Sequence, residues 1–169
     1  MKKILDVCCG SKMCWFDKDN PNVLFNDIRD DDYILCDGRE LHVHPDTQYD
    51  FTHLDKLNDN SFKLVLFDPP HLRRVGDKSW MIKKYGRLDK NWQEQIKKGF
   101  DECMRVLETN GILILKWNEK QISLKRLLDC INTQPLFGHT SGRSGATKWL
   151  CFMKLNNKIQ ANETKHDIP

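Results

Sequence analysis

The sequence predicts an α/β protein: a three-layer α/β/α sandwich with a mostly parallel sheet and an antiparallel last strand. Two observations predict it. Continuous apolar runs at 64–67 and 112–115 are typical of strands that are covered on both faces. Helical spacing of apolar residues over 92–107 and 121–131 gives the C-terminal half a strand–helix–strand order.

The remaining elements follow from shorter patterns along the chain. Asn110-Gly111 is a stop signal for the first helix. About fifteen residues separate the first two strands, barely the dozen that a parallel crossover needs, so we expect the N-terminal helices to be short or missing. Strands are predicted at 4–7, 23–25, 49–51, 64–67, 112–117 and 149–155.

Length and composition indicate one soluble domain. Of 169 residues, we assign 1–155 to the domain and 156–169, which lacks apolar periodicity, to a mobile tail. With 39% hydrophobic residues and no apolar run of about 18, neither a membrane span nor a membrane partner is expected. The first ten residues lack the pattern of a signal peptide, which predicts a cytoplasmic protein.

The seven cysteines contain no CxxC pair and are odd in number. They fit neither a disulfide framework nor a four-ligand zinc site. We interpret them as buried reduced thiols and predict no metal.

The first candidate site is the turn that follows the first strand. An apolar strand that runs into a glycine lets the backbone approach a nucleotide-like cofactor closely. A single glycine instead of GxGxxG argues against NAD, and an ordinary strand-end turn is the alternative. The candidates here are Asp6, Cys8, Cys9, Gly10 and Ser11.

Carboxylates at later strand ends extend this site. Asp27 ends the second strand, about 20 residues on, where doubly wound folds place an acid that binds ribose hydroxyls. The alternative interpretation is that Asp27 is a solvated acid in a loop. Asp50 and Phe51, at the end of the predicted third strand, are candidates for the adenine amino group and ring.

The second candidate site is Asp68-Pro69-Pro70-His71, which ends a buried strand. Asp68 and the Pro69 carbonyl can each accept one proton of an exocyclic amine, which leaves the nitrogen lone pair aimed at an electrophile. The two prolines fix the turn before substrate arrives. His71 is placed to stack on a base.

The sequence resembles class I S-adenosylmethionine-dependent methyltransferases, whose fold is Rossmann-like. The resemblance lies in the order of Asp6 to Gly10, Asp27, Asp50 and Asp68-Pro-Pro-His. The resemblance covers 1–155 and is closest to small phage-type amino-methyltransferases with a D-P-P-x motif, for which adenine N6 in DNA or RNA is the usual inferred target. It implies S-adenosyl-L-methionine as cofactor and in-line methyl transfer without a covalent intermediate. His71 stands where Tyr, Phe or Trp is usual, which leaves the base open.

A basic segment at 72–92 follows this turn and carries a net charge of about +5. Cations interleaved with aromatic rings are typical of single-stranded nucleic-acid binding; a solvated loop with aromatics in the core is the alternative. The polar segment 138–146 is a second candidate loop. The predicted substrate-binding residues are Arg73, Arg74, Lys78, Trp80, Lys83, Lys84, Tyr85 and Arg87, with Trp92 as a further stacking ring.

The sequence therefore favours a nucleic-acid amino-methyltransferase with a nucleic-acid partner. Methylation of a protein amide or a small amine, or a binding subunit that has lost catalysis, are the alternatives. We also expect that the poorly covered N-terminal face packs against a second copy, as a homodimer.

Overall fold

The computed structural model describes residues 2–76 and 79–155, so Lys78 and the predicted tail 156–169 lie outside the described residues. The elements follow in chain order as β1 (Ile4–Asp6), β2 (Val23–Phe25), β3 (Asp31–Ile34), β4 (Glu40–Val43), β5 (Phe62–Phe67), α1 (Trp80–Tyr85), α2 (Trp92–Val106), β6 (Leu107–Asn118), α3 (Leu124–Ile131), β7 (Phe137–Ser141) and β8 (Thr147–Met153).

Six strands form one sheet in the order β2-β1-β5-β6-β8-β7, and β3 and β4 form a separate antiparallel hairpin. Strand β1 is parallel to β2 and β5, and β5 is parallel to β6. Strand β8 is antiparallel to both of its neighbours. This confirms the predicted mostly parallel sheet with an antiparallel last strand. Within the described ranges, every helix is too short or too polar to cross a bilayer.

Helix α2 packs on β5 and β6, and α3 packs against α2. Apolar side chains of both helices belong to one core with the strands. Alternate residues of β6, Leu113, Leu115 and Trp117, are fully buried in the core on this side. The rings of Phe100 on α2 and Phe152 on β8 meet edge to face, with centroids 5.2 Å apart. The C-terminal half thus has the predicted strand–helix–strand order, although α2 ends before the Asn110-Gly111 stop because β6 starts directly after it.

The N-terminal half has no helix before α1 in the described part of the chain, which confirms the prediction that its helices are short or missing. Turns connect β1 to β2 instead. The Trp15 ring from these turns packs edge-on against Phe25, with centroids 5.4 Å apart, and so covers the second face of the sheet near β2. Farther along this face, Ile112, Ile114 and Trp149 are only half buried.

That second face is where a second copy was expected to pack, and the homodimer stays a prediction. Sedimentation velocity at micromolar concentration tests it. A single monomeric species would contradict it.

The predicted strand at 49–51 is wrong. Only one parallel bridge, between Asn26 and Thr47, occurs where a third strand was expected. The buried Asn26 side chain takes over the pairing: its Nδ2 donates to the carbonyls of Val7 and Tyr49, at 2.9 and 3.0 Å, and its Oδ1 accepts from the Tyr49 N–H at 2.9 Å. Because a side-chain amide mimics a peptide group, it holds an irregular segment where a strand would lie.

Four elements, β3, β4, α1 and β7, were not predicted. The hairpin β3–β4 was missed because its first strand, Asp31–Ile34, is too polar to show strand alternation. The predicted loop 138–146 begins within an edge strand, Phe137–Ser141, because that polar segment pairs with β8 through the backbone.

Candidate active site

A cleft of about 570 Å³ opens at the carboxyl ends of β1, β2, β5 and β6. Ligands bind at this edge in open α/β sheets. The two candidate sites of the sequence meet there, since the cleft is lined by Cys8, Cys9, Gly10, Ser11, Asp27, Asp50, Phe51, Asp68, Pro69, Pro70, His71, Lys84, Tyr85 and Arg87.

The glycine turn has the conformation that the cofactor hypothesis needs. Gly10 has φ +51°, in the left-handed region that favours glycine. Its N–H donates to Asp27 Oδ2 at 2.8 Å, which joins the turn to the end of β2. Burial raises the pKa of the Cys8 and Cys9 thiols, so neither is a thiolate nucleophile.

Asp6 lies beside the cleft and does not line it. It is 2% exposed, and its Oδ2 accepts from Trp15 Nε1 at 2.7 Å. Its Oδ1 is buried with no hydrogen-bond partner in the described residues. Burial therefore raises the pKa of Asp6 to about 7.

Asp27 is fully engaged by Arg29. The guanidinium Nε donates to Oδ1 at 2.9 Å and Nη2 donates to Oδ2 at 3.0 Å. The Arg29 N–H also donates to Oδ1, and Gly10 donates to Oδ2. Four donors use the accepting capacity of the carboxylate. A ribose hydroxyl can bind Asp27 only when Arg29 moves aside.

Asp50 and Phe51 line the cleft from the irregular segment that replaces the third strand. Asp50 Oδ1 accepts from both the N–H and the hydroxyl of Thr52, at 2.8 Å each, and fixes a turn. The Phe51 ring packs on Phe67 with centroids 5.6 Å apart. Gly99 of α2 makes room for it, because a Cβ there would lie 2.5 Å from Phe51 Cδ2.

Asp68 forms an ion pair with Lys116, which projects from the carboxyl end of β6. Lys116 Nζ lies 2.5 Å from Asp68 Oδ2 and donates to Cys14 Sγ at 3.6 Å. Burial raises the pKa of the Asp68 carboxyl, and Lys116 opposes that shift. Lysine thereby favours the ionised form that accepts hydrogen bonds.

His71 and Tyr85 form an aromatic wall beside Asp68. Their ring centroids lie 5.5 Å apart. Burial, assisted by the charge of Lys116, lowers the pKa of His71 to about 4, so the imidazole is neutral near pH 7. Gly86, at the end of α1, lies against the proline turn: a Cβ there would be 2.9 Å from Pro70 Cγ. The segment after the turn therefore folds back over the cleft.

The predicted substrate residues separate into two groups. Lys84, Tyr85 and Arg87 line the cleft, whereas Arg73, Arg74, Trp80 and Lys83 do not. The Arg73 guanidinium faces the Trp92 ring at 6.0 Å. The expectation that Trp92 stacks on a base is wrong, since it is 1% exposed and belongs to the core. Helix α1 also interrupts the predicted basic loop.

Sequence reasoning missed Arg29, Lys116 and Gln121. Arg29 follows Asp27 by two residues and could have been found as a local ion pair. Lys116 is the one charged residue in the predicted strand 112–117. Gln121 Oε1 accepts the N–H groups of Arg73 and Arg74, at 2.7 and 2.8 Å, and no sequence pattern signals that contact.

Neither a family model nor a curated protein matches this sequence. Solved structures do: the PH0226 protein of Pyrococcus horikoshii OT3 is 14% identical, with a TM-score of 0.54 over 90% of this chain and 81% of that one. A protein described as a sarcosine dimethylglycine methyltransferase, from Galdieria sulphuraria, is 13% identical, with a TM-score of 0.51 over 91% and 78%. These likenesses show the fold, which is the fold that the resemblance to class I methyltransferases implied.

Proposed function

We propose that this protein is an S-adenosylmethionine-dependent methyltransferase that methylates the exocyclic amine of a nucleic-acid base, with adenine N6 as the target. One observation carries the proposal: a single cleft joins the left-handed Gly10 turn and Asp27 to the Asp68-Pro-Pro-His71 turn. Cofactor and target amine can therefore meet in one place.

The cofactor side fits S-adenosylmethionine. Gly10 provides a backbone turn without a Cβ, Asp27 is an acceptor for ribose once Arg29 moves aside, and Asp50 with Phe51 lies where adenine would be held. When bound, the cofactor supplies an electrophilic methyl group. The volume of the cleft lies within the roughly 300–1,000 Å³ that is usual for small-molecule sites.

The target side fits an amine that reacts as a neutral nucleophile. Asp68, whose ionised form Lys116 favours, can accept a hydrogen bond from one amine N–H, and the Pro69 carbonyl can accept one from the other. Both acceptors are held in place by the proline turn, which orients the lone pair before reaction. After transfer, Asp68 is the base within reach of the proton that the nitrogen must lose.

A base fits beside these acceptors better than an aliphatic amine does. Neutral His71 and the Tyr85 ring offer flat faces without charge. Stacking of this kind contributes about 1–3 kcal/mol per base. The cleft is also bordered by cations at Lys84, Arg87 and Lys120, which suit a phosphate backbone.

Methyl transfer is tested directly with labelled cofactor and, separately, DNA, tRNA and rRNA, followed by digestion to nucleosides and mass spectrometry. We expect label on the exocyclic nitrogen of adenine in one of these substrates and none with the Asp68→Ala variant. Label on another base would correct the target. Label in protein, or none in any substrate although cofactor binds in calorimetry, would overturn the proposal.

The nucleic-acid partner is tested by charge removal. Lys84→Gln with Lys120→Gln should weaken binding and reduce the slope of log K against log salt by about 1 for each phosphate that is no longer neutralised. A matched variant, Lys63→Gln with Lys98→Gln, removes two exposed lysines outside the cleft and should leave the slope unchanged. Equal slopes for the two variants would argue against nucleic-acid binding by Lys84 and Lys120.

A further inference from the structure

The outer face of the hairpin β3–β4 carries a cluster of histidines and carboxylates outside the cleft. Asp32 on β3 lies opposite His42 on β4 in the antiparallel register. His44 follows His42 by two residues, and side chains two apart along an extended chain project to the same face. All three side chains are exposed to solvent.

The ligating atoms of this cluster converge on one point. His42 Nδ1 lies 2.5 Å and His44 Nε2 lies 3.0 Å from the same oxygen, Asp32 Oδ1. One ligand atom from each of the three residues lies within 4.8 Å of the others. Zinc bonds to nitrogen and oxygen at about 2.0–2.2 Å, which places tetrahedral ligand atoms about 3.3 Å apart. Small rotations of exposed side chains therefore suffice to bring the three ligand atoms around one ion.

The second nitrogen of each imidazole also meets a carboxylate. His44 Nδ1 lies 2.8 Å from Asp30 Oδ1, and His42 Nε2 lies 3.3 Å from Glu40 Oε2. Histidines that bind metal almost always donate their other N–H to such a partner, which fixes the tautomer and increases the basicity of the ligating nitrogen. Both histidines are thus oriented with one nitrogen held and the other facing the shared point.

We propose that Asp32, His42 and His44 form a binding site for a divalent first-row transition metal ion of the zinc type, oriented by Asp30 and Glu40. Two imidazoles and one carboxylate are ligands that zinc accepts readily. Three protein ligands leave a fourth position for water. The proposal is independent of methyl transfer, because none of these residues lines the cleft.

Such an ion would link the two strands of the hairpin. The hairpin has a small core of its own, with Leu35, Leu41 and Val43 buried. Its Tyr33 ring lies under Lys83 of α1, with Nζ 5.7 Å from the ring centroid. A metal bound on the outer face would therefore hold β3 and β4 together.

Isothermal titration of the full chain, freed of metal with chelator and kept at pH 8, tests the site with Zn²⁺ as the probe. We expect one saturable zinc site, a higher melting temperature with zinc, and at least about tenfold weaker binding for Asp32→Asn and for His44→Ala. Asp30→Asn should weaken binding about tenfold if it orients His44 as a carboxylate partner. Cobalt(II) bound at the same site should give visible absorption without a thiolate charge-transfer band.

The controls are an exposed histidine and a nearby exposed cysteine. His139→Ala and Cys36→Ser should bind zinc as the wild type does. If His44→Ala and Asp32→Asn bind zinc as tightly as the wild type, or if no saturable binding occurs, the proposal is overturned. Loss of the site in Cys36→Ser, with a thiolate band for cobalt, would also overturn it, since the ligands would then be different.

Discussion

Two carboxylates at the carboxyl edge of the sheet, Asp27 after β2 and Asp68 after β5, each form an ion pair with a cation, but the two pairs differ. Asp27 is 4% exposed and accepts four hydrogen bonds, three of them from Arg29. Asp68 has a side-chain exposure of 26% and is bonded through Oδ2 to Lys116. Among the described residues, no hydrogen bond reaches its Oδ1. The proposed cofactor side therefore has no free carboxylate acceptor at Asp27, whereas the proposed target side keeps an open acceptor at Asp68.

This difference indicates a separate role for each cation. Arg29, with a planar fork, occupies the Asp27 oxygens that would bind a ribose in the proposed function, so ribose binding would require Arg29 to move. Lys116 is a point charge that leaves one oxygen open while it favours the ionised carboxylate. Binding on one side and chemistry on the other are therefore expected to respond differently to substitution.

The largest expected effect is on kcat and cofactor affinity, which substitutions at Asp68 and Asp27 should change separately. Asp68→Ala removes the amine acceptor and should reduce kcat at least about 100-fold, with cofactor affinity nearly unchanged. Asp27→Asn should do the opposite, with cofactor bound about 10-fold or more weakly and a nearly normal kcat at saturation, since it removes hydrogen bonds to a charged group. Steady-state kinetics with calorimetry measures both. Equal losses in both quantities for the two variants would break the comparison.

The irregular segment on the cofactor side depends on one side chain. Asn26→Ala leaves the buried partners of its amide unsatisfied and should reduce the free energy of unfolding by about 2–4 kcal/mol. Urea unfolding measures this, and the surface variant Asn58→Ala serves as control. A loss no greater than that of the control would show that Asn26 does not hold the segment.

Asp6 is buried beside the cleft, and its contribution to the free energy of unfolding should depend on pH. Its folded pKa, about 7, is above the ordinary value of 3.8. Its contribution to stability is therefore full below pH 4 and is lost as pH rises to about 7. Asp6→Asn should be more stable than wild type by about 2–4 kcal/mol at pH 8, with little difference near pH 4. The exposed Asp17→Asn should show no such trend in urea unfolding, and a pH-independent difference for Asp6→Asn contradicts the prediction.

The smallest effect concerns the charge of Lys116. Because this lysine opposes the raised pKa of Asp68, Lys116→Met should shift the acidic limb of the rate profile to higher pH. Lys148→Met removes a lysine whose ion pair is with Glu119 and should leave that limb in place. An unchanged limb in Lys116→Met would show that Lys116 does not set the protonation of Asp68.

The two sides also differ in how much of each the sequence predicts. Asp68-Pro69-Pro70-His71 is a local turn after a continuous apolar strand, so its place at the sheet edge follows from a short stretch of chain. Asp50 and Phe51 also reach the cleft, but the strand predicted for them does not form. Their position depends on Asn26, 23 residues before Tyr49, and on room beside Gly99. No local pattern encodes such contacts.

The sequence by itself determined the α/β class, the two helices of the C-terminal half and the two turns of the cleft, because periodicity and strand-end motifs are local properties of the chain. Only the tertiary structure decided which cations meet Asp27 and Asp68 and that Trp92 is buried. It also decided that Asp32 faces His42 and His44. These depend on the packing of segments distant in sequence, where charge pairing and burial are set by what lies opposite rather than by what comes next along the chain.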